Sequence, residues 1–421
     1  MRRLILRLVP GLLLVLASAP EAWAQVTVTG KFQYEDRVYN LQGYTGTAQN
    51  LPIRHADVEL VSSPGNIVLA AGSTDGDGNY ALTLTLGAPV NAYVRCLASS
   101  DSSATYHITV VDTFVRTGGT VDRSGSTVHA ITTGTNSVPI SGTYNFGTYT
   151  ITDPTGSGVA QAFNIFDNAV DAFDYLADPN YGIGRYPTPS EFVVFGWNGT
   201  SGSSGSNYFW QGIFIAATAS DTDGWSDTVI LHEAGHWASD MFGRDDNPGG
   251  SHFIGDNNQD PRLSYGEGYA TFFCAQVREH RAARLVGGNN VDDHVSVYAD
   301  LGIPPTLPTP GGLEFSYDFE TGLFNSGAPI GQVGSANETN VTTAMWDLVD
   351  GTGTPDESPG LDDEPGDEAG PFSWDVIQNY MTTLTTNPIT VEDFYQGWGV
   401  RHGSFMDSEL DSAFIGLACM K

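Results

Sequence analysis

The stretch that most restricts what this chain can become is Leu231–Gly243, LHEAGHWASDMFG, with its centre His232-Glu233-Ala234-Gly235-His236. On a helix, residues four apart stack on one face, so both imidazoles can reach one ion while Glu233 sits one step round, beside an open coordination position. Asp223 or Ser226 can cap the helix start and Gly243 can end it, and Val229, Ile230, Ala234, Trp237 and Met241 supply a buried stripe. This is the side-chain set of a metal-assisted hydrolase. The competing reading is a core helix with two hydrogen-bonded histidines.

Composition narrows the setting. The chain opens MRRLILRLVPGLLLVLASAPEAWA, three arginines before an apolar run and then Ala22-Trp23-Ala24, which predicts a removable signal peptide over residues 1–24. Pro10 and Pro20 interrupt a run already short for a bilayer, and no later segment approaches the length of a membrane span. The expectation is a soluble, secreted, extracellular protein. A formal net charge of −32 repels nucleic acid and anionic membrane, so neither is an expected partner, and it suits solubility or divalent cations. Cys96, Cys274 and Cys419 allow one disulfide at most and form no zinc cluster; Cys274 could pair with Cys419, or all three could be buried separately.

Residues 25–118 alternate in short runs, such as ADVELV, NYALTLTL and NAYVRCLA, between Gly, Pro, Ser and Asp clusters, which predicts a small antiparallel sandwich. The pattern Pro52-Ile53-x-x-Ala56-x-Val58-x-Leu60, followed by Thr74-Asp75-Gly76-Asp77-Gly78-Asn79-Tyr80, resembles the carboxypeptidase regulatory-like, transthyretin-type β-sandwich. The resemblance implies a hairpin turn at the Asp-Gly segment, with a calcium loop as the alternative. The sandwich is expected to be separable, free of catalytic residues and able to bind a matrix or cell-surface ligand. Residues 119–157 are rich in Gly, Ser and Thr and read as a linker with a leading strand.

From residue 158 to 421 the period changes. Ala162, Ile165, Phe166, Ala169, Val170, Phe173 and Leu176 mark an amphipathic helix stopped before Pro179. Two short strands follow, EFVVFGW and NYFWQGIFIAAT, and then the His-Glu helix. This order, with Asn207-Tyr208-Phe209-Trp210 and Gly266-Glu267-Gly268-Tyr269-Ala270, resembles the thermolysin-like gluzincin metallopeptidases. The positions after His236 exclude the three-histidine arrangement of the metzincins. The resemblance implies an N-terminal all-β sandwich followed by an α+β zincin-type metallopeptidase domain with a mostly helical C-terminal lobe. Three helices are expected there, in ETNVTTAMWDLVDG, PFSWDVIQNYMTTL and TVEDFYQGWGVRHG, with the acidic run PDESPGLDDEPGDEAG as a solvated loop or a calcium site.

The same resemblance implies one zinc ion on His232, His236 and Glu267, a water activated at the open position, and Glu233 as general base. Asn207 and the backbone of Tyr208 are expected to hold an extended protein or peptide substrate as an added strand. Asp240 matches the acidic residue that follows the family's metal motif and is expected to orient a ligand or pack the helix. Thr271 stands where the family has an aspartate, which leaves the partner of His232 open. For the donor that stabilises developing negative charge the candidates are Tyr317, His294 and Tyr380, with His252 behind them. The expected activity is that of an endopeptidase. The alternatives are an aminopeptidase of the same metal class, whose Gly-x-Met-Glu-Asn segment does not occur here, and a non-catalytic binding or adhesion protein with a vestigial metal site.

Overall fold

The computed structural model describes residues 24–117, 119–152, 159–198, 205–218, 221–282, 291, 294–299, 311–319, 322–327, 334–348, 369–385 and 388–403. The expected signal peptide apart from Ala24, Cys419 and most of the acidic run lie outside these residues. Strands fill the chain up to Ile151 and helices dominate beyond it, the order expected.

The first strands are β1 (Gln25–Asn40), β2 (Gly43–Pro52), β3 (Asp57–Ser62), β4 (Val68–Ser73), β5 (Asn79–Thr85) and β6 (Val90–Leu97). They form two sheets: β1 pairs with β2 and β5, while β3 lies between β4 and β6. Period-two alternation drives this, because Val26, Val28 and Phe32 of β1 share one core with Val58 and Leu60 of β3 and Val94 and Cys96 of β6. The Asp-Gly turn links β4 in one sheet to β5 in the other, so it is a sheet-to-sheet crossing where a hairpin was expected. Asp75 Oδ1 holds it by accepting the N–H groups of Asp77 (2.9 Å) and Asn79 (2.8 Å).

Residue 118 is crossed repeatedly. Strand β7 (Ile108–Val111) leaves the sandwich sheets, and the hairpin β8 (Val115–Thr117) and β9 (Thr120–Asp122) follows it. The chain then returns: β10 (Ala130–Thr132) and β11 (Asn136–Val138) pair with β6, and β12 (Gly142–Ile151), in the stretch expected to be a linker with a leading strand, lies parallel to β1. Beyond α1 (Val159–Ala177), β13 (Val193–Gly196) pairs in parallel with β7, so a strand from the front of the chain completes a sheet in the second half. That sheet runs β14 (Asn207–Phe209), β15 (Gly212–Phe214), β13, β7, with β14 antiparallel at its edge.

Helix α1 carries its expected apolar face, and Phe173 stacks on Trp237 with ring centroids 5.3 Å apart. Its polar face is buried as well. Arg54, in the loop after β2, reaches Asp167 (2.6 Å), Asp171 (2.7 Å) and Asp174 (3.4 Å) on successive turns. Tyr34 of β1 donates to Asp167 (3.1 Å), so the second half of β1 covers the helix.

A short ladder, β16 (Ala217–Thr218) and β17 (Asp221–Thr222), and the 3-10 turn Asp223–Trp225 lead into α2 (Asp227–Phe242). Then come α3 (Pro261–Ala282), β18 (Val295–Ala299), β19 (Gly311–Asp318), β20 (Leu323–Phe324), α4 (Glu338–Trp346), α5 (Ala369–Asn379) and α6 (Val391–His402). The last three helices fall on the three expected segments. The strands β18 to β20 were not expected in a mostly helical lobe; β19 pairs with β18 and β20 and extends the sandwich sheet through Gly311↔Tyr44 and Gly312↔Gly43. Strand β18, VSVYA, is buried at Val295, Ser296, Val297 and Ala299, so it runs through the interior and carries no half-solvated alternation.

Candidate metal centre

Two packed helices set the site. Ser226 caps α2, accepting from the Val229 N–H at 3.5 Å, and Gly243 ends it. Helix α2 packs against α3, and Gly235 permits the approach: a Cβ there would stand 2.7 Å from Ala270 Cα. Gly268 does the same for α3 against α4, where a Cβ would meet Val341 at 2.7 Å. The consequence is convergence. His232 Nε2 lies 3.1 Å and His236 Nε2 3.2 Å from Glu267 Oε2, and the three ligand atoms all fall within 4.8 Å of one another.

These spacings fit a shared ion. Tetrahedral ligands at about 2.0–2.2 Å from zinc stand roughly 3.3–3.5 Å apart, close to what the side chains already show. Two imidazoles and one carboxylate suit a divalent ion with a fourth position left open. Among the described residues this is the one group of three or more His, Cys, Asp and Glu ligand atoms gathered closely enough to hold a metal. The two calcium alternatives are not among such groups: the Asp-Gly segment is a turn closed on its own backbone, and the acidic run lies mostly outside the described residues.

Supporting contacts orient each ligand. Thr271 Oγ1 lies 3.0 Å from His232 Nδ1, so the position where the family has an aspartate still supplies the partner, as a hydroxyl. Asn247 Nδ2 donates to Glu267 Oε1 at 2.9 Å. Asp240 accepts from the Tyr208 hydroxyl, and the Tyr208 ring stacks over His236 at 6.4 Å, so Asp240 acts on the imidazole through Tyr208.

Burial and neighbours set the charges. Glu233 is pushed up to about 7 by burial, with Glu267 adding to the shift and His236, the Tyr208 backbone N–H and Arg116 opposing it. Burial also lowers His232. Burial works against ionisation of Glu267, yet His236 and the hydrogen bonds from His232, His236 and His252 outweigh it and hold the carboxyl well below its usual range.

His236 and Glu267 open onto a cleft of about 510 Å³. One wall is β14 with Asn207, Tyr208 and the half-exposed Phe209 and Trp210; another is the loop carrying Asp245, Asn247 and His252. Asn207 Oδ1 accepts from Arg116 Nη2 at 3.1 Å, and the Arg116 guanidinium lies over Phe209 (5.1 Å) and Phe214 (4.4 Å). Trp210 and Gln211 form the β14–β15 turn with φ of 50° and 61°, a left-handed pair that suits a two-residue hairpin.

The candidate donors separate. His252 lines the cleft, its Nε2 3.5 Å from Glu267 Oε2 and 3.7 Å from Glu338 Oε2. Its hydrogen bond with Glu267 pushes it up to about 9, with further help from the charges of Glu267 and Glu338 and against its own desolvation. Tyr317, His294 and Tyr380 are not among the residues lining the cleft. Tyr317 is buried behind Thr271, His294 faces Asp318 at 3.9 Å, and Tyr380 lies against α6 at Gly397. Sequence reasoning passed over Asn247, Glu338 and Arg116. The first two lie in a non-periodic loop and a helix's first turn, and Arg116 lies in the part expected to carry no site residue.

No family model matches this chain, and no curated protein matches it. Among solved structures, a 9R-lipoxygenase from Cyanothece PCC8801 matches at 14% identity and a TM-score of 0.17, covering 34% of this chain and 22% of the lipoxygenase. The major plantain pollen allergen Pla l 1 matches at 16% identity and a TM-score of 0.17, covering 31% of this chain and 94% of the allergen. This chain thus spans about a fifth of the lipoxygenase's length. Likeness this slight carries no argument about fold or activity.

Proposed function

We propose that this chain is a secreted zinc-dependent peptidase of the gluzincin kind, with a zincin-type α+β core, that cleaves internal bonds of extended polypeptides. One observation carries the reading: the nitrogens of His232 and His236 and an oxygen of Glu267 converge, and His236 and Glu267 line the same cleft as the buried carboxyl of Glu233, beside an edge strand. Zinc, when bound, would supply the Lewis acidity that makes water nucleophilic near neutral pH and polarises the scissile carbonyl.

The chain's own residues do the rest. Among the described residues β14 is paired only on its β15 side, so an extended peptide can lie along the side facing α2. Arg116 fixes Asn207 at that strand, and Asp240 fixes Tyr208. Glu233 takes a proton from water as the water oxygen bonds to the carbonyl carbon. It returns that proton to the amide nitrogen as the C–N bond breaks, and the second proton of the water passes from the new carboxyl to the amine, leaving a carboxylate and an ammonium group. The burial that raises the proton affinity of the Glu233 carboxyl suits a group that must accept and then release a proton. No helix among the described residues is long and apolar enough to cross a membrane. The expected leader and the strongly acidic composition support export.

Glu233→Gln tests this directly. It keeps size and hydrogen bonding but accepts no proton, so zinc should stay stoichiometric while turnover of casein and of amino-blocked peptides falls by roughly two to four orders of magnitude. Glu267→Ala should lose zinc and activity together. Near-native activity in Glu233→Gln, or a wild-type protein that purifies without zinc and gains nothing from it, returns the chain to the binding-protein reading. Activity confined to peptides with a free amino terminus would favour the aminopeptidase.

A further inference from the structure

A carboxylate buried without a cation beside it is costly, so a surplus of buried acid calls for a positive partner. We propose that a calcium ion binds inside the joint between the front sheet and helices α1, α2 and α3, with Asp36 of β1 as its charged ligand. This place is separate from the metal centre on His232, His236 and Glu267, and it is independent of the peptidase reading.

Charge comes first. A small internal cavity is lined by the carboxylates of Asp36, Asp167, Asp171 and Asp227 and by the guanidinium of Arg281, and all four acids are buried. Two guanidinium groups are shared among three of these acids. Arg54 serves Asp167 (2.6 Å) and Asp171 (2.7 Å), and Arg281 serves Asp227 (2.8 Å) and Asp171 (3.7 Å). Arg37, the next residue of β1, lies over the rings of Tyr44 and Trp225. Asp36 has a neutral partner: its Oδ2 accepts from the Gln49 amide at 3.1 Å, while its Oδ1, also buried, has no hydrogen-bond partner among the described residues. Four carboxylates against the two guanidinium groups of Arg54 and Arg281 leave a surplus of two negative charges, the charge that one divalent ion cancels. Burial, and then the charge of Asp227, push the Asp36 carboxyl well above its usual range, against the Gln49 hydrogen bond and the Arg281 charge. A cation held there reverses that push.

Ligand chemistry comes next. The Tyr34 hydroxyl stands 3.1 Å from Asp167 Oδ2 and 3.4 Å from Asn164 Oδ1, and the amides of Asn164 and Asn168 reach Asp227 Oδ1 at 3.3 and 2.8 Å. Among the described residues no three of these carboxylates gather within 4.8 Å of one another, so the ligand set is mixed, Asp36 Oδ1 with hydroxyl and amide oxygens of Tyr34, Asn164 and Gln49. Calcium takes such sets, accepting amide and carboxylate oxygens in flexible geometry. The lining has no imidazole or thiolate, so it does not suit a softer ion. A volume of about 10 Å³ admits one water-sized sphere. A bare calcium ion fits, magnesium with the waters it keeps does not, and sodium cancels only half the surplus.

Position gives the consequence. Asp36 and Gln49 lie on β1 and β2, Asn164 and Asp167 on α1, and Asp227 opens α2, the helix of His232 and His236. Calcium at this point clamps the front sheet onto the first turn of that helix.

The test uses the full chain stripped of divalent ions over a chelating resin, with and without one equivalent of zinc restored. Calcium binding is measured by equilibrium dialysis, and Tm in calcium, magnesium or sodium at matched ionic strength. Wild type should bind calcium and melt several degrees higher with it, and gain nothing from magnesium or sodium. Asp36→Asn should weaken calcium on the order of 100-fold. Without calcium the same variant should melt at or above wild type, because a buried charge is gone, so calcium inverts the order of the two proteins. Tyr34→Phe keeps every carboxylate and should weaken calcium by about tenfold, which carries the test if Asp36→Asn folds poorly. Asp75→Asn, in the Asp-Gly turn, should bind calcium as wild type does. A wild type indifferent to calcium means that Asp36 holds a proton or a water molecule, and overturns the proposal. Calcium binding untouched by both Asp36→Asn and Tyr34→Phe, or lost in Asp75→Asn, places the ion elsewhere and overturns it as well. None of these results touches the peptidase reading, which zinc content and peptide hydrolysis decide.

Discussion

Replacing Gly235 by alanine asks whether helix approach sets the metal geometry. Gly235 stands between Glu233 and His236 on α2, and a Cβ there would lie 2.7 Å from Ala270 Cα and 2.8 Å from its carbonyl oxygen. Carbon atoms in contact need about 3.5–4.0 Å, so α2 and α3 must part by roughly 1 Å. Two effects on stability oppose one another. Alanine gains about 1 kcal/mol in helix propensity, and forcing a methyl group into a packed contact costs about 1–3 kcal/mol, so the net loss is about 0–2 kcal/mol. Metal binding suffers more. His232 and His236 flank the contact on α2 and Glu267 is one turn from Ala270 on α3, whereas coordination distances tolerate only about ±0.2 Å. Zinc affinity should fall on the order of 10–100-fold, read by competition with a chromophoric chelator beside urea unfolding of the metal-free protein. Wild-type zinc affinity in Gly235→Ala would refute the argument that this backbone contact fixes the ligands.

Arg54→Met should cost about 3–5 kcal/mol in urea unfolding, because it takes the nearest cation from Asp167 and Asp171, which are almost fully buried beside it; a loss below 1 kcal/mol would mean the front of the chain is not anchored on α1 through this residue. The pH dependence of Glu191 has a definite sign. Its hydrogen bonds with Arg185 hold it at about 2 against an ordinary 4.5, so its contribution is complete above about 4.5 and disappears as pH falls toward 2. Glu191→Gln should therefore be less stable than wild type at neutral pH and equal to it near pH 2, and a pH-independent difference would assign the loss to packing.

The parts legible in the sequence are those that local pattern dictates. The spacing His232-x-x-x-His236, the cap Ser226, the stop Gly243 and the periodic run through Glu267 place α2 and α3 without reference to any other segment. The supporting contacts are of another kind. Asn247 and His252 sit in a loop without period, and nothing near Glu338 signals that α4 ends against the cleft, because that contact depends on Gly268 letting two helices touch. Thr271 was visible as a departure, but its hydroxyl could be seen as a partner only once His232 was placed 3.0 Å away. The buried polar face of α1 was hidden for the same reason: Asp167 and Asp171 look solvated until Arg54 arrives from residues far earlier in the chain. Alternation in the stretches 25–118 and 119–157 marks strands, but it does not say that β7 pairs with β13 or that β12 returns to β1.

The pairing of β7 with β13 also has a meaning in time. A chain made from its front end presents Ile108–Val111 early, whereas its parallel partner Val193–Gly196 follows in sequence only after the whole of β12 and α1. Contacts so distant along the chain close slowly, since the entropy of the intervening loop is lost before the pairing rewards it. The sheet bearing the groove therefore matures late, after the front strands have found one another. A chain interrupted before residue 193 lacks β13, the strand that joins β15 to β7, and so has no groove to offer.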